Sequence, residues 1–392
     1  MPTSEQPERG LANLDLLTTP AGQAVLAELA DTEMAAAAEL RVAEALRRRY
    51  PAELVTAALA QHELRRRARA KFSLAGEMWF TRAGLEQASS EAVARHRARR
   101  YAGAARVVDL CCGIGGDLVA LAGAATAALA VDRDPLHLRM AALNAAVHGL
   151  EPETLPADVR DAPLQPADAV FVDPARRSGG RRLRAGDSEP PLDWCTALAE
   201  RVAGVAVKAA PGLDRGSVPP GWEVEFVAEG RDLKEAVLWS PALRGAPTRA
   251  TLLPAGDQLL ANPGGPVDCR APGEYLLDPN PAVTRAGLVE DLARRLGAWK
   301  IDPMIAFLSA DIPLRTPFGR TLRVLEHGPW REKDLAARLR AHGIGALDIR
   351  RRGLAGDVDV LRRKLRTTGR TPATLVMTRV DDRPWALICV ED

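Results

Sequence analysis

Residues 106–124, RVVDLCCGIGGDLVALAGA, are the stretch that decides the fold of this chain. An apolar strand pattern, VVDL, is followed by a turn with three glycines and then by a helix pattern, LVALAGA. A turn of this kind points backbone N–H groups at whatever lies beyond the carboxyl edge of a sheet, and its glycines let a ligand approach the backbone closely. The stretch therefore predicts a ligand-binding turn in an α/β protein.

The same alternation of strands and helices continues downstream. A second strand pattern, ALAVDRD, is followed by a helix pattern, PLHLRMAALNAAVHG. Further strand patterns are ADAVFVDP, GVAVKAAPG, VEFVAEG and AVLWSPA. This alternation predicts a Rossmann-like, doubly wound parallel sheet over residues 104–260.

The flanking segments have different patterns. Residues 1–103 are rich in Ala, Leu, Glu and Arg without a strand pattern, which predicts a helical N-terminal domain. Residues 261–317 are interpreted as a linker and helical connector, and residues 318–392 as a small α+β domain. That last domain carries a net charge of +6, against −4 for the rest of the chain.

Composition excludes several classes of protein. The chain has 392 residues and a net charge of +2, so length predicts two or three domains and total charge requires no polyanionic partner. No apolar run approaches the ~20 residues that span a bilayer, and the N-terminus lacks a secretory pattern, so we expect a soluble, cytoplasmic protein. Five scattered cysteines predict neither disulfides nor a metal site. Oligomeric state stays open, with a monomer favoured.

Three acidic residues follow strand ends in an order that suits a nucleoside cofactor with a cationic end. Leu118 stands where a dinucleotide-binding fingerprint has its third glycine, which disfavours the competing nicotinamide-binding fold. Asp109, four residues before the first glycine, suits S-adenosylmethionine (SAM), which carries a sulfonium and an ammonium. Asp132, 17 residues after Gly115, is placed for the ribose hydroxyls, and Asp158 for the adenine amino group.

These motifs resemble those of class I SAM-dependent methyltransferases. VVDLCCGIGGD resembles their motif I, AVDRD their ribose-binding motif and ADVRD their adenine-contact motif. The wider layout resembles bacterial methyltransferases with a THUMP-like C-terminal domain and, more distantly, trimethylguanosine synthases. The resemblance places Asp109, Gly113 and Gly115 near the methionine part of SAM. The whole expected cofactor-binding set is Asp109, Cys111, Gly113, Gly115, Asp117, Asp132, Arg133, Asp158 and Val159.

The segment DPARR, residues 173–177, is the expected reaction centre. Class I enzymes that methylate exocyclic amines end the fourth strand in [D/N]-P-P-aromatic, and their Asp or Asn oxygen accepts a hydrogen bond from the target amine. Asp173 and Pro174 match that motif, whereas Ala175 and Arg176 depart from it. Arg176 can replace the aromatic ring by stacking its guanidinium on a base, or it can bind phosphate together with Arg177. The alternative is a simple turn with solvated arginines.

Cysteine placement argues against methylation of carbon. Methylation at C5 of a pyrimidine requires a cysteine nucleophile that adds to the ring. Neither DPARR nor KAAPG, the segment after the next strand, contains cysteine, and Cys195 lies on a predicted helix. The sequence therefore favours transfer to nitrogen.

Two further groups of residues are candidates for substrate binding. Trp79, Phe80 and Arg82 precede the sheet, where the rings can stack on a base or, alternatively, anchor the helical domain. Residues 350–352 (Arg350, Arg351 and Arg352) form a basic cluster that suits RNA phosphates, unless the C-terminal domain only buttresses the fold.

The expected function is therefore methylation of an exocyclic or ring nitrogen of an RNA base, in rRNA or tRNA. The alternatives are a small-molecule or protein N-methyltransferase and a non-catalytic RNA-binding protein with a methyltransferase-like core.

Overall fold

The computed structural model describes residues 5–30, 36–175, 177–178, 181–182 and 188–391. The chain forms two compact units, Met1–Glu223 with Ala236–Gly245, and Val224–Glu235 with Ala246–Asp392. The predicted helical segment and most of the predicted sheet lie in the first unit. The predicted connector and C-terminal domain lie in the second.

The N-terminal part of the first unit is helical, as the sequence predicted. Its helices are α1 (Glu5–Thr18), α2 (Pro20–Ala30), α3 (Ala36–Arg47), α4 (Ala52–Ala68), α5 (Arg82–Gln87) and α6 (Glu91–Ala98). One apolar core joins α1 to α5, with Leu14, Val25 and Val55 each at most 1% exposed. Thr81 caps α5, its hydroxyl accepting a hydrogen bond from the Gly84 N–H at 2.9 Å.

A mostly parallel sheet follows in the same unit. Its elements are β1 (Arg106–Leu110), α7 (Leu118–Ala124), β2 (Ala127–Asp132), α8 (Pro135–Val147), β3 (Glu153–Pro156), β4 (Ala169–Val172), a small hairpin of β5 (Arg177–Ser178) and β6 (Arg181–Arg182), α9 (Leu192–Ala197) and β7 (Gly204–Ala209). The chain continues through β8 (Glu223–Glu229) and β9 (Asp232–Trp239). The strand order is β9-β7-β4-β1-β2-β3, and β9 pairs antiparallel to β7. This confirms the predicted α/β class.

The second unit contains two groups of strands. The first has the order β11-β10-β8, with β10 at Thr248–Leu253 and β11 at Asp257–Leu260. The second is a seven-stranded sheet of order β13-β14-β12-β15-β18-β17-β16. Its elements are β12 (Tyr275–Pro279), α10 (Pro281–Ala286), α11 (Val289–Leu296), β13 (Trp299–Lys300), β14 (Leu308–Ala310), β15 (Gly319–Pro329), α12 (Glu332–Ala341), β16 (Ile344–Arg351), α13 (Val358–Leu365), β17 (Thr371–Val380) and β18 (Arg383–Glu391).

The predicted connector contributes to this second sheet. It supplies β12, β13 and β14 as well as the expected helices, and β12 pairs antiparallel with β15 from Tyr275 to Pro279. The apolar side chains of β12, β15 and β18 share one core, in which Leu276, Leu322 and Leu387 are fully buried. Among the described residues, no helix has the length and apolar character needed to cross a bilayer.

Candidate active site

The glycine turn lies between β1 and α7, at the carboxyl ends of three parallel strands. Leu110 is paired with Val131 of β2 and with Val172 of β4. Gly115 has a φ of +83°, and a Cβ there would lie 2.9 Å from the Ala141 Cα of α8, so a side chain would not fit. Cys111 also adopts a positive φ, +62°, which costs about 1–2 kcal/mol in a residue with a side chain. The turn is therefore a shaped backbone concavity.

Asp109 is a buried carboxyl group under this turn. It is 1% exposed, and neither carboxyl oxygen has a hydrogen-bond partner among the described residues. Burial raises the pKa of Asp109 well above its usual range, and the nearby carboxylates of Asp117 and Asp173 raise it further. An unpartnered buried carboxyl group is costly, and a cationic ligand group relieves that cost. The residue thus fits the ammonium end of SAM.

Asp132 connects the end of β2 to the turn. Its Oδ2 accepts a hydrogen bond from the Gly113 N–H at 2.9 Å, and its Oδ1 accepts one from the Asp134 N–H at 2.9 Å. Each carboxylate oxygen has a second lone pair, so both can still accept from vicinal hydroxyls. The site chemistry therefore also fits the ribose of SAM.

Asp158 lies after β3 and caps the short helical turn that contains the buried Val159. Its Oδ1 accepts a hydrogen bond from the Arg160 N–H at 2.9 Å, and the Arg160 guanidinium lies 3.3 Å away. The backbone bond of Arg160 lowers the pKa of Asp158, and the Arg160 side chain and the exposed Arg133 lower it further. Whether adenine binds here stays a prediction.

A buried network of charged groups lies close to Asp109. Arg97 of α6 is 1% exposed and forms an ion pair with Asp117. Ser89 Oγ accepts a hydrogen bond from Arg97 at 2.8 Å and one from Lys208 Nζ at 3.1 Å. Lys208 Nζ also donates to Asp173 Oδ2 at 2.6 Å. Burial alone raises the pKa of Asp117, but Arg97 and then Lys208 outweigh it and lower that pKa.

Sequence reasoning missed Lys208, Ser89 and Arg97, and it expected Asp117 to contact the cofactor. The sequence contained one signal that could have identified Lys208. The strand pattern GVAVKAAPG places a lysine, Lys208, among apolar residues, and lysine is almost never fully buried without a partner. For Ser89 and Arg97 no comparable signal exists, because both lie in a polar helical region.

Asp173 follows β4 and is partly accessible, its side chain 28% exposed. Among the described residues, Lys208 is the one hydrogen-bond partner of its carboxylate, bound through Oδ2. Oδ1 is thus able to accept a hydrogen bond from a ligand. Pro174 is buried, and Ala175 exchanges two backbone hydrogen bonds with Glu189 at 2.8 and 2.9 Å. Arg176 and the side chain of Arg177 lie outside the described residues.

Trp79 and Phe80 are anchors in this structure. They are 5% and 2% exposed, within the core of the helical segment, and therefore present no open ring face to a base. The fully buried Asn144 of α8 accepts a hydrogen bond from the Trp79 N–H at 2.6 Å, and its amide donates to the Ile114 carbonyl at 2.8 Å. Arg82 differs, with a side chain 79% exposed at the start of α5. The positions of the two rings match the anchoring alternative rather than stacking.

The three arginines at the end of β16 have different surroundings. Arg350 and Arg351 are exposed, and Arg350 Nε donates to Asp348 at 3.0 Å. Arg352 instead donates to Asp278 at 2.8 Å, and Asp278 is only 3% exposed. A second arginine, Arg231, binds the other oxygen of Asp278 at 2.7 Å. Arg352 therefore stabilises the second unit, which leaves Arg350 and Arg351 as the accessible pair.

The cysteines are poorly suited to nucleophilic catalysis. Cys195 is fully buried, and burial raises its pKa to about 12. Burial also raises the pKa of Cys111. The thiolate is the reactive form, so neither residue is activated at neutral pH. Within the described part of the chain, no cluster of His, Cys, Asp and Glu is arranged to hold a metal ion.

Comparison with known proteins identifies the family of the chain. Two proteins of Mycobacterium tuberculosis, from strains CDC 1551 / Oshkosh and ATCC 25618 / H37Rv, are each 41% identical to the chain over 335 residues. The match covers 81% of this chain and 90% of each relative, and both are described as uncharacterised SAM-dependent methyltransferases. The chain belongs to the family of SAM-dependent methyltransferases.

Other comparisons concern the fold and the terminal regions. A crystal structure from Porphyromonas gingivalis W83, assigned as a methyltransferase, matches with a TM-score of 0.71 at 22% identity. It covers 87% of this chain and 91% of that one, and so shows a common fold. A family described as THUMP domain-like matches residues 319–391, and a domain of unknown function matches residues 10–68. The predicted THUMP-like C-terminal domain is confirmed.

The substitution Asp109→Asn will change how stability depends on pH. Because the folded pKa of Asp109 is raised, the folded protein keeps a proton that the unfolded chain releases near pH 4. Wild-type stability therefore falls by about 1.4 kcal/mol per pH unit above that point, for as long as folded Asp109 stays protonated. The asparagine variant lacks this slope, so its free energy of unfolding, measured in urea, will rise relative to that of wild type as the pH increases from about 4.5. A difference between the two proteins that does not change with pH would contradict the burial argument.

Proposed function

We propose that this enzyme methylates an exocyclic or ring nitrogen of an RNA base. The observation that carries the proposal is the carboxylate of Asp173, which Lys208 holds through Oδ2 and whose Oδ1 has no partner among the described residues. SAM supplies an electrophilic methyl group on its sulfonium, so the protein's contribution is chiefly orientation. Asp173 Oδ1 accepts a hydrogen bond from the target N–H and thereby aims the nitrogen lone pair at the methyl group.

The charge balance at Asp173 favours a base over an alkylamine. Asp173 and Lys208 form an ion pair at 2.6 Å, so the pair offers no net attraction to an alkylammonium. An alkylammonium must also lose a proton before it can accept a methyl group. A base nitrogen is already neutral at pH 7, so it needs no deprotonation before transfer, and an amine nitrogen releases its surplus proton to solvent only after the bond to the methyl group has formed. This supports a nucleic-acid base rather than a lysine side chain or a protein N-terminus as acceptor.

RNA capture is assigned to the second unit. Its last segment is THUMP domain-like, the part from Phe318 onward has a net charge of +6, and Arg350 and Arg351 are exposed at the end of β16. Binding of phosphates by arginine releases counterions and makes affinity depend strongly on salt. The two exposed arginines are therefore the first candidates for binding the RNA backbone.

The double variant Arg350→Glu/Arg351→Glu will bind RNA more weakly than wild type. The logarithm of the association constant falls linearly with log[salt]. For every phosphate that is no longer neutralised, the magnitude of this negative slope will be smaller by about 0.7–0.9. Filter binding at several salt concentrations measures both effects. A matched control is Arg139→Glu/Arg270→Glu, which reverses two exposed arginines that also form ion pairs. Equal affinity of wild type and the Arg350/Arg351 variant would leave the C-terminal sheet with a purely structural role.

Charge reversal is preferable to truncation for this purpose. A cut before Phe318 would remove β15 and break its pairing with β12 from Tyr275 to Pro279. Weak RNA binding by such a fragment would follow from misfolding as readily as from removal of the arginines.

The function itself is tested with a strain that lacks the gene. Total RNA from that strain is incubated with the purified protein and tritium-labelled SAM, then digested to nucleosides and analysed by mass spectrometry. We expect label in one N-methylated nucleoside that is missing from the strain. Label only in protein or small molecules would favour the alternative N-methyltransferases, and no label in any fraction would favour a non-catalytic RNA-binding protein.

A further inference from the structure

Lys208 is a buried cation at the carboxyl end of β7, with a side chain only 7% exposed. Burying an ammonium is costly unless it is paired and hydrogen-bonded. The rest of the strand is apolar, and Val205, Ala206 and Val207 are fully buried. An apolar residue at position 208 would therefore suit the strand better than lysine if packing alone mattered.

The partners of Lys208 join three parts of the first unit. Nζ lies 2.6 Å from Asp173 Oδ2 after β4 and 3.1 Å from Ser89 Oγ in the helical segment. Ser89 in turn accepts from Arg97, which is paired with Asp117 at the end of the glycine turn. The ammonium is thus held between the cofactor turn and the expected reaction centre.

Asp173 does not need this ion pair for its own solvation. Its side chain is 28% exposed, and water can solvate a carboxylate at that level of exposure. What the ammonium adds is direction, because binding Oδ2 restricts rotation of the carboxylate and leaves Oδ1 as the accepting oxygen. A charge-assisted hydrogen bond is short and strong enough to impose that geometry.

We propose that Lys208 is a positioning residue for methyl transfer, which fixes Asp173 so that Oδ1 meets the target N–H, with Ser89 holding the ammonium in place. This inference rests on the proposed function, because it takes Asp173 as the group that contacts the acceptor nitrogen. Lys208 itself touches neither the substrate nor the methyl group.

The test compares Lys208→Met, Lys208→Arg and Ser89→Ala with wild type in the tritium assay on RNA from the deletion strain. Lys208→Met is expected to lower kcat by about 10²-fold, with KM for RNA and the dissociation constant of S-adenosylhomocysteine (SAH) within about twofold of wild type. Lys208→Arg, which keeps a cationic donor, is expected to recover about tenfold of that loss. Ser89→Ala is expected to lower kcat by a smaller factor. Lys234→Met, which removes a partly exposed lysine paired with Asp232, serves as the control with unchanged kcat.

A merely structural role for Lys208 would give a different pattern. Melting temperature and SAH affinity would then fall together with kcat, and Lys208→Arg would not restore turnover selectively. Wild-type kcat in Lys208→Met would overturn the inference outright. If Lys208→Met does not fold, unchanged kcat in both Lys208→Arg and Ser89→Ala would overturn it as well.

A double-mutant cycle separates this inference from the proposed function. Melting temperatures of Lys208→Met, Asp173→Asn and the double variant report the coupling of the pair without any substrate. Non-additive shifts in melting temperature support the coupling of Lys208 and Asp173 even if wild type labels no RNA. In that case only the assignment of RNA as the substrate fails. Additive shifts would overturn the pairing on which the inference depends.

Discussion

Asp173→Ala will lower kcat for methyl transfer to RNA by about 10²–10³-fold, the usual cost of losing one preorganised hydrogen bond at a reaction centre. Asp173 lies after β4, and among the described residues its carboxylate is bonded only to Lys208. The substitution therefore removes an acceptor and also breaks the ion pair with the buried Lys208, which will lower the melting temperature. The dissociation constant of SAH should stay within about twofold of wild type, since the glycine turn and Asp132 are unchanged. Single-turnover rates with labelled SAM and calorimetry with SAH measure the two quantities.

The matched control for this variant is Asp168→Ala. Asp168 immediately precedes β4, at the amino end of that strand, and its carboxylate accepts hydrogen bonds from the Ala105 N–H at 2.6 Å and the Arg106 N–H at 3.1 Å. Its loss should cost local stability and leave kcat unchanged. Normal turnover in Asp173→Ala would remove the DPARR segment from the reaction centre.

Asp132→Ala will strongly weaken the binding of SAM and SAH. Wild type should bind SAH with 1:1 stoichiometry by calorimetry. The variant loses two acceptors for the ribose hydroxyls and also the 2.9 Å bond that connects Asp132 to the Gly113 N–H. Hydrogen bonds to a charged group contribute about 1.5–3 kcal/mol each, so losing two weakens affinity by at least about 10²-fold.

Asp134→Ala is the control for this second variant. Asp134 caps α8, accepting from the Leu136 N–H at 2.9 Å, and its removal should cost about 1 kcal/mol of stability without affecting SAH affinity. The affinity of Asp132→Asn for SAH should lie between that of wild type and that of Asp132→Ala. Binding of NADH in place of SAH by wild type would contradict the interpretation of the whole turn.

The strands and helices of the first unit could be predicted from the sequence because each depends on a local pattern. VVDL, ALAVDRD and ADAVFVDP became β1, β2 and β4, and the predicted α+β domain of residues 318–392 contains β15 to β18. The strands at 275–279 and 308–310 were not predicted, because short apolar runs between loops carry no periodicity that distinguishes them from connector. Pairing stabilises them as strands, since β12 pairs with the distant β15 and β14 pairs with β12.

Burial could not be predicted for the candidate substrate residues. Trp79 and Phe80 suit base stacking and core packing equally well, and only their packing in the helical core and the bonds to Asn144 decide between the two. Similarly, Arg350 to Arg352 form one cluster in the sequence. In the structure, Arg352, which follows β16, is the member of the cluster that binds Asp278, 74 residues earlier in the chain.

By itself, the sequence determined the α/β class, the glycine turn with Asp109 and Asp132, and the membership of the chain among SAM-dependent methyltransferases. The class and the turn follow from spacing along the chain, because a turn needs glycine at set positions and a strand end displays the residue that follows it. The family follows from the resemblance of these motifs and from the relatives at 41% identity. Only the tertiary structure decided which charges meet. Arg97 pairs with Asp117, and Lys208 pairs with Asp173, which lies 35 residues earlier in the chain. Packing of helices and strands brings these side chains together in the interior, where an unpaired charge would be too costly.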